Sequence, residues 1–412
     1  MKNVVILGAG YSGVWTAEHL AKKLRDERDV KITVIDKKPY HLMKTEIHEV
    51  ATGRAKAKNI SFDLKKILGR YGITVVTDEA TDVNLEKREV ICKSGKYPYD
   101  YLVVSAGSKP TYFGIPGAAE YTMPFWTLDD ALAIKEKLHK TFKVAGKSKK
   151  SISIYVIGAG LTGVEIAGEL GEYASKMCKR YGISREDVKI VDIDALSHAL
   201  PNFPEKVSVK TESILASQGV EMRFNTKVLN VKPGSMELDT AGNVETVNAD
   251  IIIWSAGITA NCITEKLGKT LSTGKAGRLE ENKYLQSVSD KHVYIVGDNM
   301  WYIPRHKTSS VLQMVENCEQ SGATCANNIA YEITGKGKKK AYIPHLHGAL
   351  VSLGNTKGIA YAGVDAFKFI LPSPLAVLAK RGIFTFYLAQ VVPLSMLPKV
   401  IINEFLTPRI HM

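Results

Sequence analysis

An apolar run of strand type, Val4 to Leu7, leads into Gly8-Ala9-Gly10-Tyr11-Ser12-Gly13, and apolar positions then fall at Val14, Ala17, Leu20, Ala21 and Leu24. Spacings of three and four predict a helix with one buried face. A second strand, Lys31 to Ile35, ends in Asp36. The same order returns 150 residues on, counting from Gly8 to Gly158. Ser151 to Ile157 leads into Gly158-Ala159-Gly160-Leu161-Thr162-Gly163, a helix is predicted from Val164 to about Met177, and the strand Val188 to Ile193 ends in Asp194. Strand, glycine turn, helix and strand, written twice, predict an α/β protein with two Rossmann-like halves.

The glycines of each turn have separate tasks. The first permits the tight turn, the second lets backbone amides approach a pyrophosphate, and the third lets helix and strand pack closely. The helix N-terminus carries partial positive charge toward the phosphates, and the acid accepts from a ribose. From first glycine to acid the separation is 28 residues in one copy and 36 in the other, longer than the usual ~20. The extra chain of the second copy, Lys176 to Asp187, is expected to loop out. Ala195-Leu196-Ser197 follows Asp194 with no cation for a 2′-phosphate, which favours NADH over NADPH.

Composition narrows the setting. The 412 residues are 45% apolar and 24% charged, enough for two or three domains with proper cores. Net charge is +13, a field that draws anions of any kind, whether nucleotide, nucleic acid or acidic lipid. The basic clusters Lys143 to Lys150 and Lys336 to Lys340 are expected to be solvated loops. Five scattered cysteines with no CxxC argue against a disulfide scaffold or a zinc site, and Met1 runs into a strand without a signal peptide. A reducing compartment follows.

Further segments carry a resemblance. Tyr101-Leu102-Val103-Val104-Ser105-Ala106-Gly107, Ile251-Ile252-Ile253-Trp254-Ser255-Ala256-Gly257 and Val293-Tyr294-Ile295-Val296-Gly297-Asp298, together with the repeated unit, resemble flavoproteins with two dinucleotide-binding domains. Tyr40-His41, Thr45, His48-Glu49, Val164-Glu165, Gly168-Glu169-Leu170 and Ser352-Leu353-Gly354 are similar to the type II NADH dehydrogenases, over about residues 1 to 365. The resemblance implies an FAD domain at 1–112 and 284–350, an inserted NADH domain at 113–283, and a C-terminal amphipathic, membrane-associating region at 351–412. It implies a non-proton-pumping NADH:quinone oxidoreductase of the respiratory chain, using FAD and NADH with a menaquinone-type acceptor, peripheral on the cytoplasmic face of the membrane and homodimeric. Nucleic acid and metal are not expected.

For the site, the resemblance assigns FAD to Gly8, Gly10, Tyr11, Ser12, Gly13, Asp36, Lys37, Thr45, Ala80, Ala106, Gly107, Gly297, Asp298 and Val315. It assigns NADH to Gly158, Gly160, Leu161, Thr162, Gly163, Asp194, Ala256 and Gly257. Hydride transfer between stacked rings needs positioning rather than a protein acid or base, which fits the dominance of glycine turns. Glu165, Glu316 and Gln320 are the candidate catalytic side chains. Glu165 also fits a plain helix-start role opposite the dipole. The family's Ala-Gln-x-x-x-Gln-Gln-Gly-like segment, which lines its quinone tunnel, is Val315-Glu316-Asn317-Cys318-Glu319-Gln320-Ser321-Gly322 here. A Glu in place of the first Gln removes an amide donor and makes the acceptor the open point; a flavin reductase with another acceptor, a sulfide:quinone oxidoreductase and a low-turnover NADH sensor are the rivals. Sulfide oxidoreductases use cysteines at the flavin, where only Cys318 is a candidate. His41 and His48 read as packing or surface residues.

From Ala366 the chain turns strongly apolar. Gly382 to Ile402 has nearly the length of a bilayer span, but Pro393 and Pro398 interrupt it, so two short helices lying in the interface are expected. Lys380, Arg381, Lys399 and Arg409 are expected to face lipid phosphates, and truncation before Pro372, which removes the tail, is expected to leave soluble protein that still oxidises NADH with a water-soluble acceptor. A buried dimer interface fits the same composition.

Overall fold

The computed structural model describes residues 1–364 and 367–406. β1 (Lys2–Leu7), buried from Val4 onward, stops at the first glycine turn, and α1 (Tyr11–Lys23) starts there. β2 (Val30–Asp36) returns parallel to β1, with Val4 opposite Ile32 and Leu7 opposite Ile35. A short helix α2 (Ile47–Ala51) precedes β3 (Thr74–Thr77) and β4 (Tyr101–Val104). The repeat is then rebuilt: α3 (Leu128–Ser148), β5 (Ile152–Ile157), α4 (Leu161–Tyr181), β6 (Val188–Ile193), β7 (Val220–Arg223) and β8 (Ile251–Trp254). Next come β9 (Val293–Ile295), α5 (Val315–Thr334), β10 (Gly348–Ser352), β11 (Gly358–Val364), β12 (Phe367–Leu371) and α6 (Ser373–Val391).

Two five-stranded parallel sheets form, one in the order β9-β4-β1-β2-β3, the other with Met123–Pro124 at its edge followed by β8-β5-β6-β7. β1 and β5 occupy the same place in each. Both are flanked by the strand that ends in an acid and by the strand that ends in Ser-Ala-Gly. Because β9 rejoins the first sheet after the second is complete, the second unit is an insertion in the first. The chain crosses between them at Ser108–Pro110 and Ile258–Ala260, which pair antiparallel. Strands covered on both faces read as unbroken apolar runs, as β4 and β8 do.

Three expectations are corrected. The longer spacing of the second copy is taken up by helix, since α4 runs to Tyr181 and ends on Gly182 at φ 63, leaving only the stretch to Asp187 outside it. The first basic cluster is largely helical. Leu128, Ala131, Ile134, Leu138, Phe142 and Ala145 make a buried stripe on α3 that carries the register through to Ser148, with the lysines on the far side. In the tail the chain breaks at Pro393 as expected, but the helix before it, α6, is 19 residues long and begins at Ser373, well before Gly382, because Pro372 and Pro374 lie at its start. Short helical turns follow through residue 406. Among the described residues no helix is long and apolar enough to cross a membrane.

One buried group works against the fold. Asp192, on the same face of β6 as Ile190, is fully buried with neither carboxylate oxygen hydrogen-bonded. Burial, with Asp194 nearby, pushes its carboxyl well above the usual range. A folded-state proton affinity above that of the unfolded chain stabilises at low pH and is lost as pH rises. Asp192→Asn is therefore expected to raise the denaturant midpoint, and by more at about pH 8 than at about pH 5, in paired unfolding titrations.

Candidate functional site

The two glycine turns are nearly superimposable in chemistry. Gly8 and Gly158 take φ +103° and +107°, and their amides donate to Ile35 O at 2.8 Å and Ile193 O at 2.7 Å. Ser105 Oγ donates to Leu7 O and Gly8 O, and Ser255 Oγ donates to Ile157 O and Gly158 O. Each acid reaches back to its own turn. Asp36 accepts from Ala9 N at 2.6 Å and Lys38 N at 2.8 Å, while Asp194 accepts from Ala159 N at 2.7 Å and Leu196 N at 2.8 Å.

Space around the glycines separates packing from binding. A Cβ on Gly13 would stand 2.0 Å from Gly8 O, and one on Gly163 1.7 Å from Gly158 O, so these positions seat helix on strand. A Cβ on Gly10 or Gly160 would meet nothing within 4 Å. Those two glycines are also the N-caps of α1 and α4, and neither helix start has a side-chain cap. First-turn amides with open space before them form an anion site. The residues present therefore fit a dinucleotide at each turn.

A second turn faces the first cradle. Gly297 leans on Ser12, whose Oγ would be 2.5 Å from an added Cβ, and its amide donates to Ser321 Oγ. Asp298 accepts from Ser108 Oγ at 2.7 Å and lies 3.9 Å from Cys318 Sγ. Asn299, fully buried, clamps the crossover by accepting from Gly107 N and donating to Gly107 O. Lys44 lies over the Trp126 ring, 3.3 Å from its centroid. Burial pulls its ammonium down to about 7 despite Asp298 and Asp130.

The remaining assignments fall in different places. Tyr11 meets Thr45 through their hydroxyls at 3.3 Å. Leu161 and Thr162 open α4, half-buried, and Val315 is the first residue of α5. Lys37 is exposed beyond β2, and Ala80 begins a small antiparallel strand paired with Cys92. Ala106 and Ala256 precede Gly107 and Gly257 at the two crossovers, where a Cβ on Gly257 would strike Phe113. Glu316 and Gln320 point to the segment before β10. Glu316 accepts from His347 N at 3.1 Å and pairs with the His347 ring, and Gln320 holds both N and O of His345 at 2.9 Å.

Glu165 belongs to a buried ionic cluster that the sequence reading did not assemble. Lys380 Nζ donates to Glu165 Oε1 at 2.6 Å and to Ser352 Oγ at 2.9 Å, and stands 3.7 Å from Glu46 Oε1. His48 Nε2 bonds Ser352 Oγ at 2.9 Å, with Nδ1 3.7 Å from Glu165 Oε2. Arg54, buried, joins Glu49 at 2.9 Å and is bidentate on Glu169, which also accepts from Thr52 Oγ1. Burial raises the Glu165 carboxyl, against the pull of Lys380. Glu46, His48 and Glu49 bring ligand atoms within 4.8 Å of one another, but Lys380 and Arg54 already supply the charge a divalent ion would bring. The available signal was the i, i+4 pair Glu165 and Glu169 beside the i, i+3 pair Glu46 and Glu49, each sharing one helix face.

Lys380 is thus turned inward rather than to lipid, because two carboxylates on other elements reach it. Arg381 is held by Asn355 Oδ1 at 2.7 Å, Lys399 is exposed, and Arg409 lies outside the described residues. The tail is no appendage to be cut away. Tyr387 of α6 bonds His41 Nε2 at 3.0 Å, while His41 Nδ1 bonds Ala9 O in the first glycine turn. Burial holds the His41 ring down at about 4, hence neutral. Trp15 stacks on Tyr387, and Arg70 caps the end of α6 at Val391 O.

Comparisons with known proteins agree on the frame. A family model described as Pyridine nucleotide-disulphide oxidoreductase matches residues 2–322. A type II NADH:quinone oxidoreductase of Staphylococcus aureus (strain NCTC 8325 / PS 47) is 27% identical over 363 residues, 87% of this chain and 89% of that one. The structure of NDH2 from Plasmodium falciparum in complex with NADH superposes with a TM-score of 0.87 at 17% identity, covering 100% of this chain and 99% of that one. The sulfide:quinone oxidoreductase from Aquifex aeolicus gives 0.78 at 21%, covering 100% and 96%.

The glycine geometry yields a paired test. Gly13→Ala should destabilise the apoprotein by about 1–3 kcal/mol through overpacking. Gly10→Ala should cost the apoprotein about 1 kcal/mol or less, yet weaken binding of a dinucleotide at this turn at least about tenfold, since its methyl enters the open cradle. Chemical denaturation and flavin titration of the two variants decide the matter.

Proposed function

The chain belongs to the pyridine nucleotide-disulphide oxidoreductase family, and from that premise we propose that it is a type II, non-proton-pumping NADH:quinone oxidoreductase, using FAD and a menaquinone-type acceptor. The observation that carries the reading is the pair of matched anion cradles in one chain, each with an uncapped helix start before an open glycine. The S. aureus relative, named for that activity and matched along most of both chains, supports it.

FAD is assigned to the first cradle and the Gly297-Asp298 turn, NADH to the second. When bound, the two cofactors supply hydride chemistry between their ring systems. The chain's own residues bind and orient. The α1 and α4 amides face the pyrophosphates, Asp36 and Asp194 the riboses, and Asp298, held by Ser108, the polar arm of the flavin. Asn299 locks the crossover on which both units hang, so the cradles keep one relative position. The Glu165 and Lys380 pair sits where α4, α2 and α6 meet, next to Thr45, whose carbonyl accepts from Lys380 at 3.4 Å. Of the five free cysteines, Cys318 is the one standing against Gly297 and Asp298. Thiol exchange needs two sulfurs, so sulfide chemistry is the less supported reading.

The exposed side of α6 suits a membrane surface. Leu375, Leu378, Ile383 and Phe386 face solvent while Phe384, Tyr387, Leu388 and Val391 are buried, and Phe367, Phe369 and Leu394 extend the exposed apolar area. Together with the basic balance, this fits a helix lying on anionic lipid at the cytoplasmic face, where a lipid-soluble acceptor is at hand. A homodimer burying the same face is the alternative.

Anaerobic NADH should bleach a yellow holoprotein, and a menaquinone analogue should restore the colour; a colourless native protein sinks the proposal. For the tail, Leu378→Glu with Phe386→Glu should abolish co-sedimentation with anionic vesicles while leaving NADH bleaching within about twofold, since neither side chain is buried. Loss of a dimer in sedimentation velocity, with vesicle binding kept, would assign the face to a second copy.

A further inference from the structure

We propose that Glu46 is the proton-holding partner of Glu165: the two carboxyls, facing the single ammonium of Lys380, share one proton and deliver it to the electron acceptor. This rests on the quinone-reductase reading above.

The argument starts from charge. Arg54 is engaged by Glu49 and Glu169, which leaves Lys380 between Glu165 at 2.6 Å and Glu46 at 3.7 Å. Glu46 and Glu165 side chains are 7% and 12% exposed, and that of Lys380 is 11%. One cation in so dry a place offsets one carboxylate, and the second stays uncharged by keeping a proton. The charged and titratable groups facing Glu46 are Lys380 from α6, Glu165 from α4, Glu49 and His48 from α2, Arg54 just beyond α2, and Glu404 from the segment after α6. Three of the six are acids, and Arg54 is already matched by Glu49 and Glu169. Burial, opposed by Lys380 and helped by these acids, pushes Glu46 up to about 8. Burial would lower the Lys380 ammonium, but the surrounding carboxylates, Glu165 foremost, and the hydrogen bond to Glu165 raise it, so Lys380 stays charged. Two carboxyls that face one ammonium titrate as a unit.

The reaction has a place for one such proton. NADH gives up a hydride, which is two electrons and one proton, whereas a quinone reduced to the quinol takes two electrons and two protons. The second proton leaves a carboxyl O–H of the pair as the quinol O–H forms. The carboxylate left behind is held by Lys380 until solvent returns a proton. Glu46 acts through Glu165 and Lys380, so it is a positioning residue and a proton store rather than a group in contact with the acceptor.

Glu46→Gln keeps size and polarity but cannot release a proton. In the holoenzyme, an indicator-dye titration between about pH 7 and 9 should count one proton fewer for this variant than for the wild type. In stopped flow, bleaching by NADH should stay within about twofold, while reoxidation by a short-chain water-soluble quinone at pH ~7 should slow by about 100-fold, the low end for a positioned proton donor. The wild-type reoxidation rate should fall as pH rises through about 8, and the variant should lack that limb. Lys380→Met, which removes the cation that favours ionisation, should move the limb to higher pH, and it serves if Glu46→Gln does not fold. Equal proton counts, an unchanged limb in Glu46→Gln, or an unmoved limb in Lys380→Met overturns the shared proton. Wild-type protein that bleaches with NADH but is not reoxidised by quinone overturns the acceptor reading instead, and delivery with it, while the proton count still decides the sharing.

Discussion

Everything in this molecule hangs on a pair of helix starts left without caps. A helix that opens on glycine with no side-chain acceptor exposes its first amides, and such groups need a partner. The protein builds this twice at a sheet's C-terminal edge, and it spends considerable backbone chemistry keeping the ends open. The amide of Gly8 or Gly158 is tied to the neighbouring strand, the Ser105 or Ser255 hydroxyl closes the turn from the other side, and Asp36 or Asp194 bonds the turn alanine. The turn cannot relax onto its own helix. An anionic ligand is then the natural partner for the amides, and the sheets, crossover and insertion serve to build two such sites in one chain.

The cradles were legible in the sequence because their signal is local. Glycine at fixed spacing between an apolar run and a helical stripe has few alternative explanations, and the acid that closes each unit sits at the tip of the next strand. The expectation of an inserted second unit came from the family resemblance carried by the Ser-Ala-Gly segments and Gly297-Asp298, while the order of strands in the first sheet had no local signal. What failed locally failed for local reasons. Lys176 to Tyr181 and Lys143 to Ser148 looked like loops because they are polar, yet each continues the helix before it, held by a buried stripe that polarity on the other face does not interrupt.

The ionic cluster was illegible for the opposite reason. Glu46, Glu49, Arg54, Glu165, Glu169, Ser352 and Lys380 come from four separate stretches, and helical spacing links only Glu46 to Glu49 and Glu165 to Glu169, never one stretch to another. Composition also misdirects at Lys380. In a strongly apolar tail a lone lysine reads as a lipid-facing anchor, whereas here it is drawn inward by two carboxylates that only the tertiary fold brings within reach. Glu316 likewise meets a partner far along the chain, His347, that no local pattern announces.

The position of Lys380 along the chain has a consequence for biosynthesis. It meets Glu165 across 215 residues, so a nascent polypeptide can fold both nucleotide units while the ribosome is still adding the helix that carries their missing cation. Domains fold as they emerge, and until that last helix docks the interior holds carboxylates without their counter-charge. Docking of the tail therefore completes the charge balance of a cluster whose acids are synthesised first.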